Sequence, residues 1–181
     1  MVYAANDTTV VKDSALISNG TFEFKGKMET PYREVSLYMG DPNDYMNPNR
    51  CGLYMEPKEM TLNIDTANFG KPVLTGSFTQ AQVDSLETLT TQILDEAKSI
   101  QEAIAAETDH EKAAALHEQM EPYYERVQKV QTAFLKTHPD SYAAPGYMRF
   151  LMGDMTYGEI KEIYDNFSDN VKKYGNVKEI E

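Results

Sequence analysis

Between Phe22 and Leu74 the apolar residues fall at every second position in short runs, and from Val83 onward they recur every third or fourth. Alternation marks a strand with one buried face, whereas the longer step marks one face of an amphipathic helix. The change of period near residue 77 predicts an antiparallel β domain over 1–77 and a helical region over 78–181.

Within the first region, Asn19-Gly20 suits a two-residue type I′ turn, because both central positions need positive φ. Phe22, Phe24 and Met28 alternate with Thr21, Glu23, Lys25 and Lys27, which predicts a hairpin around that turn. Val35, Leu37 and Met39 form the next alternating run, and Cys51, Leu53 and Met55 a further one. Between them Asp41–Asn49 combines two prolines with Asn and Asp, so it reads as a loop. Met60, Leu62 and Ile64 alternate again, and a short strand near Val73-Leu74-Thr75 closes the region. Together these predict one small antiparallel sheet, folded as a sandwich or open barrel.

In the second region Val83, Leu86, Thr90, Ile93, Ala97, Ile100 and Ile104 line one helix face, and Ala113, Leu116, Met120, Tyr123, Val127, Val130 and Phe134 line another. The two stripes predict a helical hairpin over 79–138, with Thr108-Asp109-His110-Glu111 as the capping box between them. Pro122 predicts a kink or break in the second helix. Shorter helices are expected over 142–181, one capped by Thr156 with Glu159 and the last by Ser168. The fold class is therefore α+β: an N-terminal antiparallel β-sandwich or open barrel, then a helical hairpin and short helices.

Charge and chemistry narrow the function. Acidic residues outnumber basic ones by 29 to 17, which repels phosphate backbones and anionic lipid surfaces. Nucleic acid is accordingly not an expected partner, and no apolar run reaches membrane-spanning length. The single cysteine, Cys51, can form no internal disulfide and no Cys-x-x-Cys pair. Its register with Leu53 and Met55 points the thiol toward the core, where it acts as a small hydrophobe. His110 and His117 share a helix face at a spacing unlike that of metal ligands, so they read as a solvated surface, and the Asp41–Asn49 loop lacks the glycine turn and terminal acid of a calcium hand. No metal, cofactor or catalytic residue is assigned. Tyr38, Tyr45 and Tyr54 lie on or beside strands and are the candidate ligand- or partner-binding residues, because exposed rings can stack on sugars or a partner chain.

The order of segments is more specific than any one of them. An Asp-Ser opening a strand, then Asn19-Gly20-x-Phe22-x-Phe24-x-Gly26, leads to Met55-Glu56-Pro57, Met60-Thr61-Leu62-Asn63-Ile64 and Leu74-Thr75-Gly76-Ser77 with Gln80. His138-Pro139-Asp140-Ser141 and Val171-Lys172-Lys173-Tyr174-Gly175 follow the helical insert. Over residues 8–181 this series resembles the uncharacterised N-terminal domain and helical linker of Gram-negative envelope thiol-disulfide oxidoreductases, which precede a thioredoxin-like (AhpC/TSA or ResA-like) domain. The resemblance implies a further strand ahead of Val2-Tyr3-Ala4 and a Cys-x-x-Cys motif beyond Glu181, and it carries no catalytic residue onto this chain. It implies a non-catalytic accessory domain in the periplasm or cell envelope, with the thioredoxin-like domain of the parent protein as partner. An open sheet edge or the helical hairpin would further allow a homodimer. The other reading is a stand-alone envelope module that binds a glycan or peptide.

Overall fold

The computed structural model describes residues 2–6, 9–44, 46–177 and 180. It contains both β and α structure and divides into two compact units, residues 1–81 and 82–181.

The first unit holds a four-stranded antiparallel sheet in the order β2-β1-β3-β4, made of β1 (Val2–Asn6), β2 (Thr9–Lys12), β3 (Arg33–Tyr38) and β4 (Arg50–Met55). The alternation in β3 and β4 has its expected consequence. Val35 pairs with Leu53 and Leu37 with Cys51, and all four are buried on one face. A separate two-stranded ladder joins β5 (Thr61–Asn63) to β6 (Val73–Thr75). Phe69 and Leu74 complete the buried cluster, with Phe22, Phe24, Met39, Met55, Met60, Leu62 and Ile64 half-buried against it.

Three expectations for this unit need correction. The paired strands β1 and β2 occupy 2–12, where no alternation announces them. The strands form two ladders and not one sheet, and β2 and β4 are the outer strands of the larger one, so no barrel closes among the described residues. The Asn19-Gly20 turn is present, with φ of 49° and 75°, but its arms do not continue as strands. Only Ser18 and Thr21 pair, by reciprocal N–H to C=O bonds of 2.9 and 3.0 Å. A two-stranded hairpin has little stability without neighbours to pair with, and the described residues offer the arms none.

The helical unit runs from α1 (Phe78–Asp95, whose first turn belongs to the β unit) through α2 (Lys98–Ala106) and α3 (His110–Thr137). It continues with α4 (Ala144–Leu151), α5 (Tyr157–Asn166) and α6 (Asp169–Tyr174). The first long stripe is thus two helices. The backbone leaves helical geometry at Ala97 (φ −98°, ψ 12°), whose small side chain is completely buried. Glu96 beside it takes both guanidinium nitrogens of Arg126 on α3, at 2.6 and 2.8 Å. Packing decides this corner, in residues that are all compatible with a helix.

Conversely, α3 passes Pro122 without a break. Pro122 and Glu118 are both on the exposed side, so water can satisfy the Glu118 carbonyl that loses its donor. The cap of α3 is Asp109 and not Thr108: the Asp109 carboxylate accepts the N–H groups of Glu111 and Lys112. The capping box of Thr156 and Glu159 is present on α5, and Ser168 caps α6. Leu86, Phe134, Leu135, Ala144, Met148, Leu151, Ile163, Phe167 and Val171 form one core.

Candidate functional site

The β unit carries an apolar cleft of about 620 Å³, a size suited to a small ligand or a short peptide. Its floor is Leu37, Phe69, Phe22 and Phe24, and its rim includes Leu16 and Ile17. Those two are the arm of the hairpin that finds no partner strand, and they stand 93% and 60% exposed. Their signal in the sequence is an adjacent apolar pair just ahead of an Asn-Gly turn, a pattern that one arm of a paired hairpin shares.

Tyr38 and Tyr54 do not form one platform. Both are half-buried on the face of β3 and β4 that points away from the core. The Ser36–Gly52 pair lies between their rows, which puts them roughly 13 Å apart along the strands. Tyr54 instead stacks on Tyr32, with centroids 6.4 Å apart and planes inclined by 24°, and Tyr38 lines the apolar cleft. Tyr45 lies outside the described residues.

Cys51 is 7% exposed, and burial pushes its thiol up to about 11. A thiol held neutral in this way is a poor nucleophile, since the thiolate is the reactive form. His110 and His117 are exposed on α3. In the Asp41–Asn49 loop Asp41, Asp44 and Asn47 accept from the loop's own N–H groups, while Asn43 Oδ1 accepts from Lys12 Nζ. Asp41 accepts from the backbone and side-chain amides of Asn43, and buried Asn47 bridges Met39, Asp41 and Asn49. Among the described residues no three His, Cys, Asp or Glu side chains are grouped as a metal site would need. No described helix is long and apolar enough to cross a membrane.

The motif residues Glu56, Ser77 and Gln80 turn out to join the strands to the start of α1. The Glu56 carboxylate accepts the Thr79 N–H at 2.8 Å and the Ser77 hydroxyl at 3.4 Å, and it pairs with Lys58 at 2.7 Å. Ser77 Oγ accepts the Gln80 N–H, and Gln80 Oε1 in turn accepts the Tyr54 N–H at 2.9 Å. Burial alone would raise the Glu56 carboxyl, but the hydrogen bonds from Lys58 and Thr79 outweigh it and hold the group below its ordinary range. Gly76, at φ +96°, lets the chain pass close to Glu59 and Met60, where a Cβ would meet the Glu59 carbonyl at 2.8 Å. These residues build a junction.

No curated protein and no solved structure matches the chain. Residues 1–83, the β unit and the opening of α1, match the family model DUF4369, a domain of unknown function.

Proposed function

We propose that this chain is a non-catalytic, partner-recognition domain of an envelope thiol-disulfide oxidoreductase whose redox chemistry resides in a thioredoxin-like domain. The observation that carries the reading is the state of the one thiol. Cys51 is buried between β-strand neighbours and shifted away from thiolate, while Leu16 and Ile17, exposed apolar residues of the same unit, line a cleft. That combination favours binding over thiol exchange. The order of sequence motifs supplies the redox context and the envelope location.

Insulin reduction by dithiothreitol tests it, followed with this chain alone and with a longer protein carrying it ahead of a thioredoxin-like domain. Turnover is expected from the longer protein only, and Cys51→Ser should leave it unchanged. Deleting residues 1–181 from the longer protein should lower kcat/KM for a protein disulfide and spare a small-molecule disulfide. Turnover by the chain alone would place the chemistry at Cys51 and overturn the proposal.

The size and apolar lining of the cleft favour a second reading, a stand-alone envelope module for a glycan or peptide. Saturable binding to a glycan panel, lost on Tyr38→Ala, would bring that reading forward.

A further inference from the structure

A second groove, about 510 Å³ in volume, lies along residues Phe24–Met28. Three features meet there. The first is the backbone. Thr21–Lys25 alternates exposed and half-buried side chains as a strand does. Yet no backbone hydrogen bond among the described residues reaches Phe22–Met28. Its N–H and C=O groups form an open edge of the kind an incoming strand can pair with. The second is the floor, which includes Met28, Met55 and Met60, all half-buried. Unbranched, polarizable methionines adapt to varied apolar side chains. The third is the rim. In a chain of net charge −12, Lys25, Lys27, Arg33 and Lys58 all line this groove, with Glu56 as its one acid. Glu56 is paired with Lys58, and Glu23 beside the groove pairs with Lys25 at 3.0 Å. Lys27 is exposed and has no carboxylate partner among the described residues.

We infer that this groove binds an extended peptide segment of a partner protein, one that alternates apolar and acidic side chains, by strand addition along Phe22–Met28. The apolar side chains of the segment enter the methionine floor and its carboxylates meet the cationic rim. Charge complementarity selects this occupant: a lining with four cations against one carboxylate repels a basic segment, and a wholly apolar one would leave the exposed Lys27 unanswered. The inference rests on the partner-recognition reading of the β unit and is independent of its redox context.

The test uses a fluorescein-labelled, capped nonapeptide alternating valine and glutamate, titrated with the whole chain and read by fluorescence anisotropy. Saturable binding is expected, weakening as salt rises from low to high ionic strength. A valine–lysine control peptide should not bind. Methylation at alternate amides of the valine–glutamate peptide should abolish binding by removing the donors of the added strand. The double variant Lys25→Glu/Lys27→Glu, both exposed side chains, should weaken binding about tenfold. The comparison of the two peptides and the salt series stand on the unaltered chain, so they decide the matter even if the variant folds poorly. Equal affinity for the lysine peptide, or full affinity after methylation, overturns the inference. So does a chain that sediments as a dimer which the double variant dissociates, because the groove's occupant would then be a second copy. Absence of peptide binding, in a chain whose deletion still slows reduction of protein disulfides, would remove this groove and leave the accessory reading standing.

Discussion

In the helical unit Met120, Leu135, Met148, Ile163 and Val171 are exposed by 1% or less, while no apolar residue of the β cluster falls below the 3% of Val35 and Leu53. Each core has seven half-buried apolar side chains packed against it, but two grooves open onto the β cluster, with Leu16 and Ile17 facing solvent at one of them. The helices also expose Leu89, Tyr124, Phe150 and Tyr157, but none of these lines either groove. The difference teaches where each unit spends its hydrophobic surface. The helices use it for their own stability, and the β unit keeps a share of it open, at a cost in stability, where another molecule can cover it.

The largest effect should come from comparing matched truncations. Leu135→Ala empties a fully enclosed site on α3 and should cost about 3–5 kcal/mol. Leu53→Ala opens a site that already borders half-buried neighbours, and should cost nearer ~2 kcal/mol. Calorimetric or urea unfolding of the two variants measures both. Equal losses would show that the β core is as tightly packed as the helical one and would break the comparison.

Next in size is the accessibility of Cys51. A thiol shifted from its ordinary 9.0 to about 11 carries about a hundredfold less thiolate at neutral pH. Labelling by iodoacetamide should therefore be at least about a hundredfold slower in the native chain than in urea. The sign of the pH effect follows. The folded state holds the proton longer, so stability falls as pH rises from 9 toward 11. Rapid native labelling would mean that the β unit opens far more readily than its buried face suggests.

The two helix starts give a smaller and subtler contrast. Ser168 caps α6 from the adjoining residue, whereas Glu56 reaches α1 from a loop more than twenty residues away. Ser168→Ala should cost about 1 kcal/mol, and Glu56→Gln somewhat more, about 1–2 kcal/mol, because a charge-assisted bond and an ion pair go together. Since the Glu56 carboxyl sits below its ordinary value when folded, its contribution is present above pH 4.5 and is lost as pH falls through the lowered value. A difference between the two variants that persists at pH 3 would assign it to something other than the carboxylate.

The same contrast explains what could be read in the sequence. The alternation of Val35, Leu37, Cys51 and Leu53 forced the register of β3 on β4, because a one-residue slip would expose all four. Local caps such as Thr156 with Glu159 were equally legible, since the chemistry lies within one turn. What depends on distant partners was not. Val2-Tyr3-Ala4-Ala5 has no alternation and becomes a strand by pairing. The arms around Asn19-Gly20 alternate yet stay unpaired, and the bend at Ala97 lies in a perfect helical stripe. For the candidate sites, composition pointed to the tyrosines as separate residues. The grooves arise where unpaired segments leave apolar side chains uncovered, which requires knowing which pairs fail to form.

The smallest expected effect on stability is also the one that separates fold from function. Leu16 and Ile17 bury little in the isolated chain, so Leu16→Ser/Ile17→Ser should shift unfolding by no more than about 0.5 kcal/mol. A residue that is neutral for folding but essential for association must do its packing in the complex. The double variant should therefore keep its melting temperature while losing association with a partner that uses the cleft, measured as the rise in KM for a protein disulfide in the longer protein. If instead the variant melts several degrees lower, these side chains already pack within the chain. The open cleft would then belong to the β core, and the contrast between a deeply buried helical core and an open β unit would narrow to the groove at Phe24–Met28.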